Sequence, residues 1–291
     1  MKISGLLIPV ASTLLTVAAT QAASAAVAGG VDVSSPPIEA PATISDARQF
    51  DITSENGTYR IFVSAPTGPE PAGGYPVIYL LDGNSVFGSM VDAARLQAGR
   101  IGPAIIVAVG YPIDTAFDGP RRFFDMTPKT DPKYVPGKMK NVQRTGGREA
   151  FLSLLLDRVK PLVESRYRID PRRQTLFGHS LGGQFVLHVL FNRPDAFQKY
   201  VSGSPSIWWN NRSLLAERDR YLAEREKQDR NNELMLIVGA EELGYIVQDA
   251  REMVKSVAPM RVYYKEIEGQ EHVSMLPAAL NTALRFALDP R

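Results

Sequence analysis

The feature that most limits what this chain can fold into is an alternation beginning at Tyr75: short apolar runs of strand length, separated by helix-length amphipathic segments. The apolar runs fall at residues 76–81, 104–110, 175–178, 199–202 and 233–238, with a sixth of mixed character at 261–267. Helical periodicity occupies residues 85–97, 148–167, 181–192, 213–228, 245–258 and 274–288. Strands that are apolar without alternation are buried on both faces, and helical crossovers between them make neighbouring strands parallel. Upstream, residues 48–54 and 58–65 flank Glu55-Asn56-Gly57, where an Asn-Gly pair supports a tight turn. The expected fold class is therefore α/β: a mostly parallel central sheet with an N-terminal antiparallel hairpin and helices on both faces.

Three further segments stand outside this pattern. Lys2 precedes an uncharged, largely apolar run, diluted by Ser and Thr and followed by small residues, so residues 1–25 read as a secretory signal peptide. Residues 26–46, rich in Pro, Ser and Ala, read as a flexible lead-in, leaving 47–291 as the folded domain. A secreted or periplasmic protein with no membrane span in the mature chain is expected. The stretch from Tyr111 to Gly147 is punctuated by Pro112, Pro120, Pro128, Pro132 and Pro136, and a loop that long inside a domain is usually a lid or a binding loop. The absence of cysteine excludes disulfides, metal–thiolate sites and a thiol nucleophile. With 33 basic and 31 acidic residues spread along the chain, no footprint for nucleic acid stands out.

Gly178-His179-Ser180-Leu181-Gly182 matches the G-x-S-x-G elbow, in which a serine sits at the tip of a sharp strand-to-helix turn. The context fits: Thr175-Leu176-Phe177 is a short buried strand before it, and residues 181–192 form an apolar helix after it. Ser180 is the expected nucleophile. A serine hydroxyl is a weak nucleophile near neutral pH and needs a positioned base. Of the three histidines, His179 is adjacent to Ser180 with its side chain directed away, and His188 lies two helical turns further on. His272 follows the last strand, where the Ser, acid, His order of α/β-hydrolases places the base.

The acid should follow the preceding strand, in Gly239-Ala240-Glu241-Glu242. Glu242 is the choice and Glu241 the alternative, because consecutive residues at a strand end face different ways. Two backbone N–H groups should receive the developing oxyanion, one from Leu181 and one from Asn84, with Gly83 permitting the turn.

The strings Leu80-Leu81-Asp82-Gly83-Asn84, Phe177-Gly178-His179-Ser180-Leu181-Gly182-Gly183-Gln184-Phe185 and Ser204-Pro205-Ser206-Ile207-Trp208-Trp209 resemble the esterase D-like superfamily. Within it, they look most like bacterial siderophore esterases that open enterobactin-type and salmochelin-type trilactones. The resemblance implies a hydrolase fold needing no metal or other cofactor, acting on small-molecule carboxylic esters. It also implies that Arg121 and Arg122, in the long loop, lie near the site and could bind substrate, and that Trp208 could stack on an aromatic acyl group. Some siderophore esterases work with a Ser-His pair alone, which leaves the role of Glu242 open. Two other readings are an exported acyltransferase of the mycolyltransferase type and a hydrolase-fold binding protein that has lost catalysis.

Overall fold

The structure, a computed structural model, describes residues 42–139, 144–225 and 231–289. The expected signal peptide and most of the lead-in lie outside the described residues. The first strands, β1 (Ala47–Ser54) and β2 (Gly57–Ser64), pair antiparallel, with Ser54 opposite Gly57 across the turn. Gly57 has φ 112°, a conformation that favours glycine, so the Asn-Gly signal marks the turn for the expected reason.

Then come β3 (Tyr75–Leu81), α1 (Gly83–Ile101), β4 (Ile105–Gly110) and α2 (Gly119–Met126). One long helical stretch follows, α3 (Arg148–Ser153), a π-helical segment (Leu154–Val159) and α4 (Lys160–Arg166). The remainder is β5 (Ile169–His179), α5 (Leu181–Asn192), β6 (Lys199–Gly203), the short α6 (Trp209–Arg212), α7 (Leu214–Arg225), β7 (Glu233–Gly239), α8 (Gly244–Ser256), β8 (Arg261–Ile267) and α9 (Leu276–Leu288).

The eight strands form one sheet in the order β1-β2-β4-β3-β5-β6-β7-β8, parallel from β4 to β8 and antiparallel only at the hairpin end. Every residue of β3 is buried because its side chains alternate between two cores. Val77, Tyr79 and Leu81 join the layer that contains α5, whereas Ile78 and Leu80 join the layer formed with α1 and α9. Helix α5 is buried on all sides from Leu181 to Phe191, which requires close approach at its start. A Cβ on Gly183 would lie 2.5 Å from the Gly203 carbonyl oxygen, so glycine there lets α5 settle against β6.

The long segment at 111–147 departs from its expected loop character. It contains α2, whose N-cap Asp118 accepts from the Arg121 N–H and whose first turn holds Pro120. An Asp cap followed by an early proline is a helix-start signal, overlooked among five prolines.

Helix α5 also carries a charge network that is buried at His188 and Glu217 and opens to solvent at Glu149. His188 Nδ1 lies 2.6 Å from Glu217 Oε2, Arg148 pairs with Glu217 Oε1 at 2.7 Å, and Glu149 lies 3.2 Å from His188 Nε2. Burial would lower the His188 pKa, but hydrogen bonding to Glu149 and Glu217 outweighs it and the net shift is upward. Hydrogen bonding to His188 holds Glu149 down at about 2. Burial of Glu217 pushes the other way, yet its contacts with His188 and Arg148 also leave it lowered.

A histidine whose pKa rises on folding contributes stability that is complete below its ordinary value of 6.5 and is lost as pH rises through the folded value. The lowered carboxylates contribute above their ordinary 4.5 and lose that contribution as pH falls. The melting temperature of wild type should therefore exceed that of His188→Gln most between about pH 4.5 and 6.5, with the gap narrowing on the alkaline side. A gap that stays constant up to pH 9 would show that His188 is neutral in the folded protein.

Candidate active site

Ser180 stands where β5 turns into α5, with φ 61° and ψ −114°. A non-glycine residue held there stores roughly 1–3 kcal/mol of strain, which surrounding bonds must offset. The Ser180 N–H donates to the Gly203 carbonyl at 2.8 Å, and its own carbonyl accepts from the N–H groups of Gln184 at 3.0 Å and Ser206 at 3.1 Å. A Cβ on Gly178 would lie 2.4 Å from the Gly182 carbonyl oxygen, so the elbow closes only with glycine at that position.

His272 reaches Ser180 from the turn between β8 and α9, with Nε2 2.9 Å from Ser180 Oγ. Its Nδ1 lies 2.7 Å from Glu242 Oε2, beyond the end of β7. Of the two carboxylates left open by the sequence, Glu242 turns toward His272, while Glu241 is exposed. Glu242 Oε1 accepts from the Gly239 N–H at 2.8 Å and from the Ser204 hydroxyl. Burial raises the Glu242 pKa, but the bonds from His272, Ser204 and Gly239 outweigh it and keep the carboxylate ionised. Serine, imidazole and carboxylate thus form a continuous hydrogen-bonded line.

Three further side chains, given no part in the site by the sequence, lie against this line. Ser204 bonds Glu242, Ser206 Oγ lies 3.4 Å from Ser180 Oγ, and the His179 ring packs 4.6 Å from the His272 ring. Burial first, then its neighbours His272 and Arg122, press the His179 pKa down to about 3, so this imidazole stays neutral. Ser204 and Ser206 were quoted only as part of a motif. Their placement follows from β6 lying next to β5, so that residues beyond both C-terminal ends meet.

Leu181 opens α5 directly after the serine, and Asn84 lies in the first turn of α1. The Asn84 side chain spans to the exit of β4, donating to the carbonyls of Tyr111 at 2.9 Å and Ile113 at 3.0 Å and accepting from the Tyr111 N–H at 2.9 Å. It holds the start of the long segment against α1.

Both arginines of the long segment make contacts within the protein, and Arg122 lies beside the nucleophile. Arg121 packs over Tyr59 at 4.6 Å and Tyr111 at 5.0 Å, 3.5 Å from the buried Asp125, and donates to the Thr58 carbonyl at 3.4 Å. Arg122 grips Asp82 with two bonds of 2.5 and 3.0 Å and reaches the His179 carbonyl at 3.4 Å. Of the Arg121 guanidinium only Nη1 makes a hydrogen bond, while Nε and Nη2 are buried without a hydrogen-bond partner among the described residues. Trp208 is half-buried, edge-on to Trp209 at 5.7 Å and to Tyr245 at 6.2 Å.

Sheet order, crossovers and the elbow define an α/β-hydrolase fold. The chain belongs to the esterase family: the family model described as Putative esterase matches residues 52–275. It is 40% identical over 261 residues to the ferri-bacillibactin esterase BesA of Bacillus subtilis (strain 168), covering 84% of this chain and 90% of the relative. Among solved structures, the BES protein from Bacillus cereus superposes with a TM-score of 0.80 at 37% identity, over 86% of this chain and 99% of that one. The enterobactin and salmochelin hydrolase IroE gives 0.68 at 29% identity, over 84% and 95%. Among the described residues no helix is long and apolar enough to cross a membrane.

Proposed function

We propose that this chain is an exported serine esterase that hydrolyses siderophore trilactones through an acyl-enzyme intermediate on Ser180. The observation that carries the mechanism is the line from Ser180 Oγ to His272 Nε2 at 2.9 Å and from His272 Nδ1 to Glu242 Oε2 at 2.7 Å. His272 takes the hydroxyl proton as Ser180 attacks the ester carbonyl, and Glu242 stabilises the imidazolium. The oxyanion is received by the N–H of Leu181 and the N–H of Asn84 at the head of α1. Collapse breaks the bond to the alcohol, which leaves with the proton from His272. Water, deprotonated by the same imidazole, then attacks the acyl-enzyme and releases the acid. Arg122 has a positioning part, tying the turn at Asp82 to the carbonyl before the nucleophile.

The substrate class is supported by the relatives, whose names specify ferri-bacillibactin, enterobactin and salmochelin. Export is supported by the apolar run that opens the sequence. Incubation with a catecholate trilactone should yield linear products with one water consumed per bond opened. An intact trilactone beside rapid hydrolysis of a short-chain ester would reduce the reading to a general carboxylesterase. Acyl transfer to an added sugar in preference to water would make the protein a transferase.

A further inference from the structure

Cations that line one hollow repel each other, and that repulsion persists unless an acid of the protein or a bound anion stands among them. Such a hollow opens toward the end of the sheet away from the elbow, a cavity of about 710 Å³ between α1, α9 and strands β5, β7 and β8. Its size falls in the range of small-molecule pockets, roughly 300–1,000 Å³. Arg173, which lines it, precedes Ser180 by most of β5, roughly 20 Å at the rise of a strand. The cavity is therefore separate from the proposed ester site.

Four cations line it, Arg100 from α1, Arg173 from β5, Lys265 from β8 and Arg285 from α9, beside Asp289 as the acid. Lys199 stands next to the wall, its ammonium donating to the Phe286 and Asp289 carbonyls at 2.7 and 3.2 Å. Part of this charge serves the fold. Arg173 donates to the Leu288 carbonyl at 3.3 Å, and Arg100 and Arg285 fall in the last turns of α1 and α9. Each helix end carries about half a negative charge, so the two ends and Asp289 offset about two of the five cations. About three positive charges remain. Among the described residues, the side chains of Arg100 and Arg285 have neither an ion pair nor a hydrogen bond, and Lys265 has the Thr282 hydroxyl at 3.2 Å.

We propose that this cavity is a second binding site, which takes a phosphate-bearing ligand whose charges seat among Arg100, Arg173 and Arg285. Guanidinium forks match phosphate oxygens two at a time, and here they arrive from two helices and a strand, so one ligand meets them from different sides. A single carboxylate would leave most of the excess charge unanswered, whereas a phosphate carries more than one negative charge near neutral pH. Half-buried Met235 and Tyr263 give the same wall an apolar part on which a carbon skeleton rests.

The test titrates the protein with sodium pyrophosphate at physiological ionic strength and, separately, with vesicles of phosphatidylglycerol or phosphatidylcholine. Wild type should bind pyrophosphate saturably at one site, or bind phosphatidylglycerol in preference to phosphatidylcholine. The first result identifies a soluble phosphate compound as the ligand and the second a lipid headgroup. Arg100→Glu with Arg285→Glu should raise the Kd of whichever probe binds by at least about tenfold, with the melting temperature showing a folded protein. Arg100→Gln with Arg285→Gln should give a smaller loss in the same direction. A control of equal charge, Arg220→Glu with Lys255→Glu at exposed positions on α7 and α8, should bind as wild type does. Equal weakening by the control would reduce the effect to attraction by net charge and overturn the site. Failure of wild type to bind pyrophosphate and to prefer phosphatidylglycerol would overturn it as well.

Discussion

Ser180→Ala is expected to lower kcat for ester hydrolysis by at least about a thousandfold, or ~4 kcal/mol of transition-state stabilisation, while the protein stays folded. The reason is chemical: among the described residues no other hydroxyl is bonded to His272, and the residual rate would come only from binding and the oxyanion donors. Ser206, whose hydroxyl lies 3.4 Å from that of Ser180, carries the same functional group without a bond to His272. The measurement pairs steady-state kinetics with a fluorophosphonate probe, which should label wild type at Ser180 and leave the variant unlabelled. Retention of more than about a thousandth of wild-type kcat would overturn the nucleophile assignment.

His272→Ala should be nearly as damaging, and combination with Ser180→Ala should add little. Independent contributions would multiply to about a millionfold, whereas residues acting as one unit lose their joint effect once either is removed. Glu242→Gln should be about ten- to a hundredfold less severe, since it spares the nucleophile and the base. Glu241→Gln should have no effect, because that side chain is exposed. Sensitivity at Glu241 with silence at Glu242 would contradict the geometry, and silence at both would mean that serine and histidine work as a pair.

The central sheet was legible because its strands are buried on both faces, which leaves a continuous apolar run in the sequence. β5 was read too short for the same reason: its first half contains Pro171, Arg172 and Arg173 and lies where the sheet is no longer covered. That Ser180 and His272 meet was legible from chain order, since an elbow and a terminal loop histidine have few alternative places in such a sheet. Choosing between Glu241 and Glu242 needed the turn after β7, where the Gly239 N–H draws the Glu242 carboxylate inward. The protein partners of the two arginines carry no local signal. Tyr59 and Asp82 stand 62 and 40 positions before Arg121 and Arg122, and nothing local announces partners so remote.

The grip of Arg122 on Asp82 and on the His179 carbonyl joins the ends of β3 and β5 through one side chain from the long segment. Lysine could not replace it, because a single ammonium lacks the planar fork needed for both carboxylate oxygens. With the Asn84 amide holding Tyr111 and Ile113, Arg122 fastens the segment to the sheet beside the nucleophile. Lengthening or recolouring the rest of residues 111–147 offers a route to new substrates, provided that this one guanidinium keeps its place beneath the elbow.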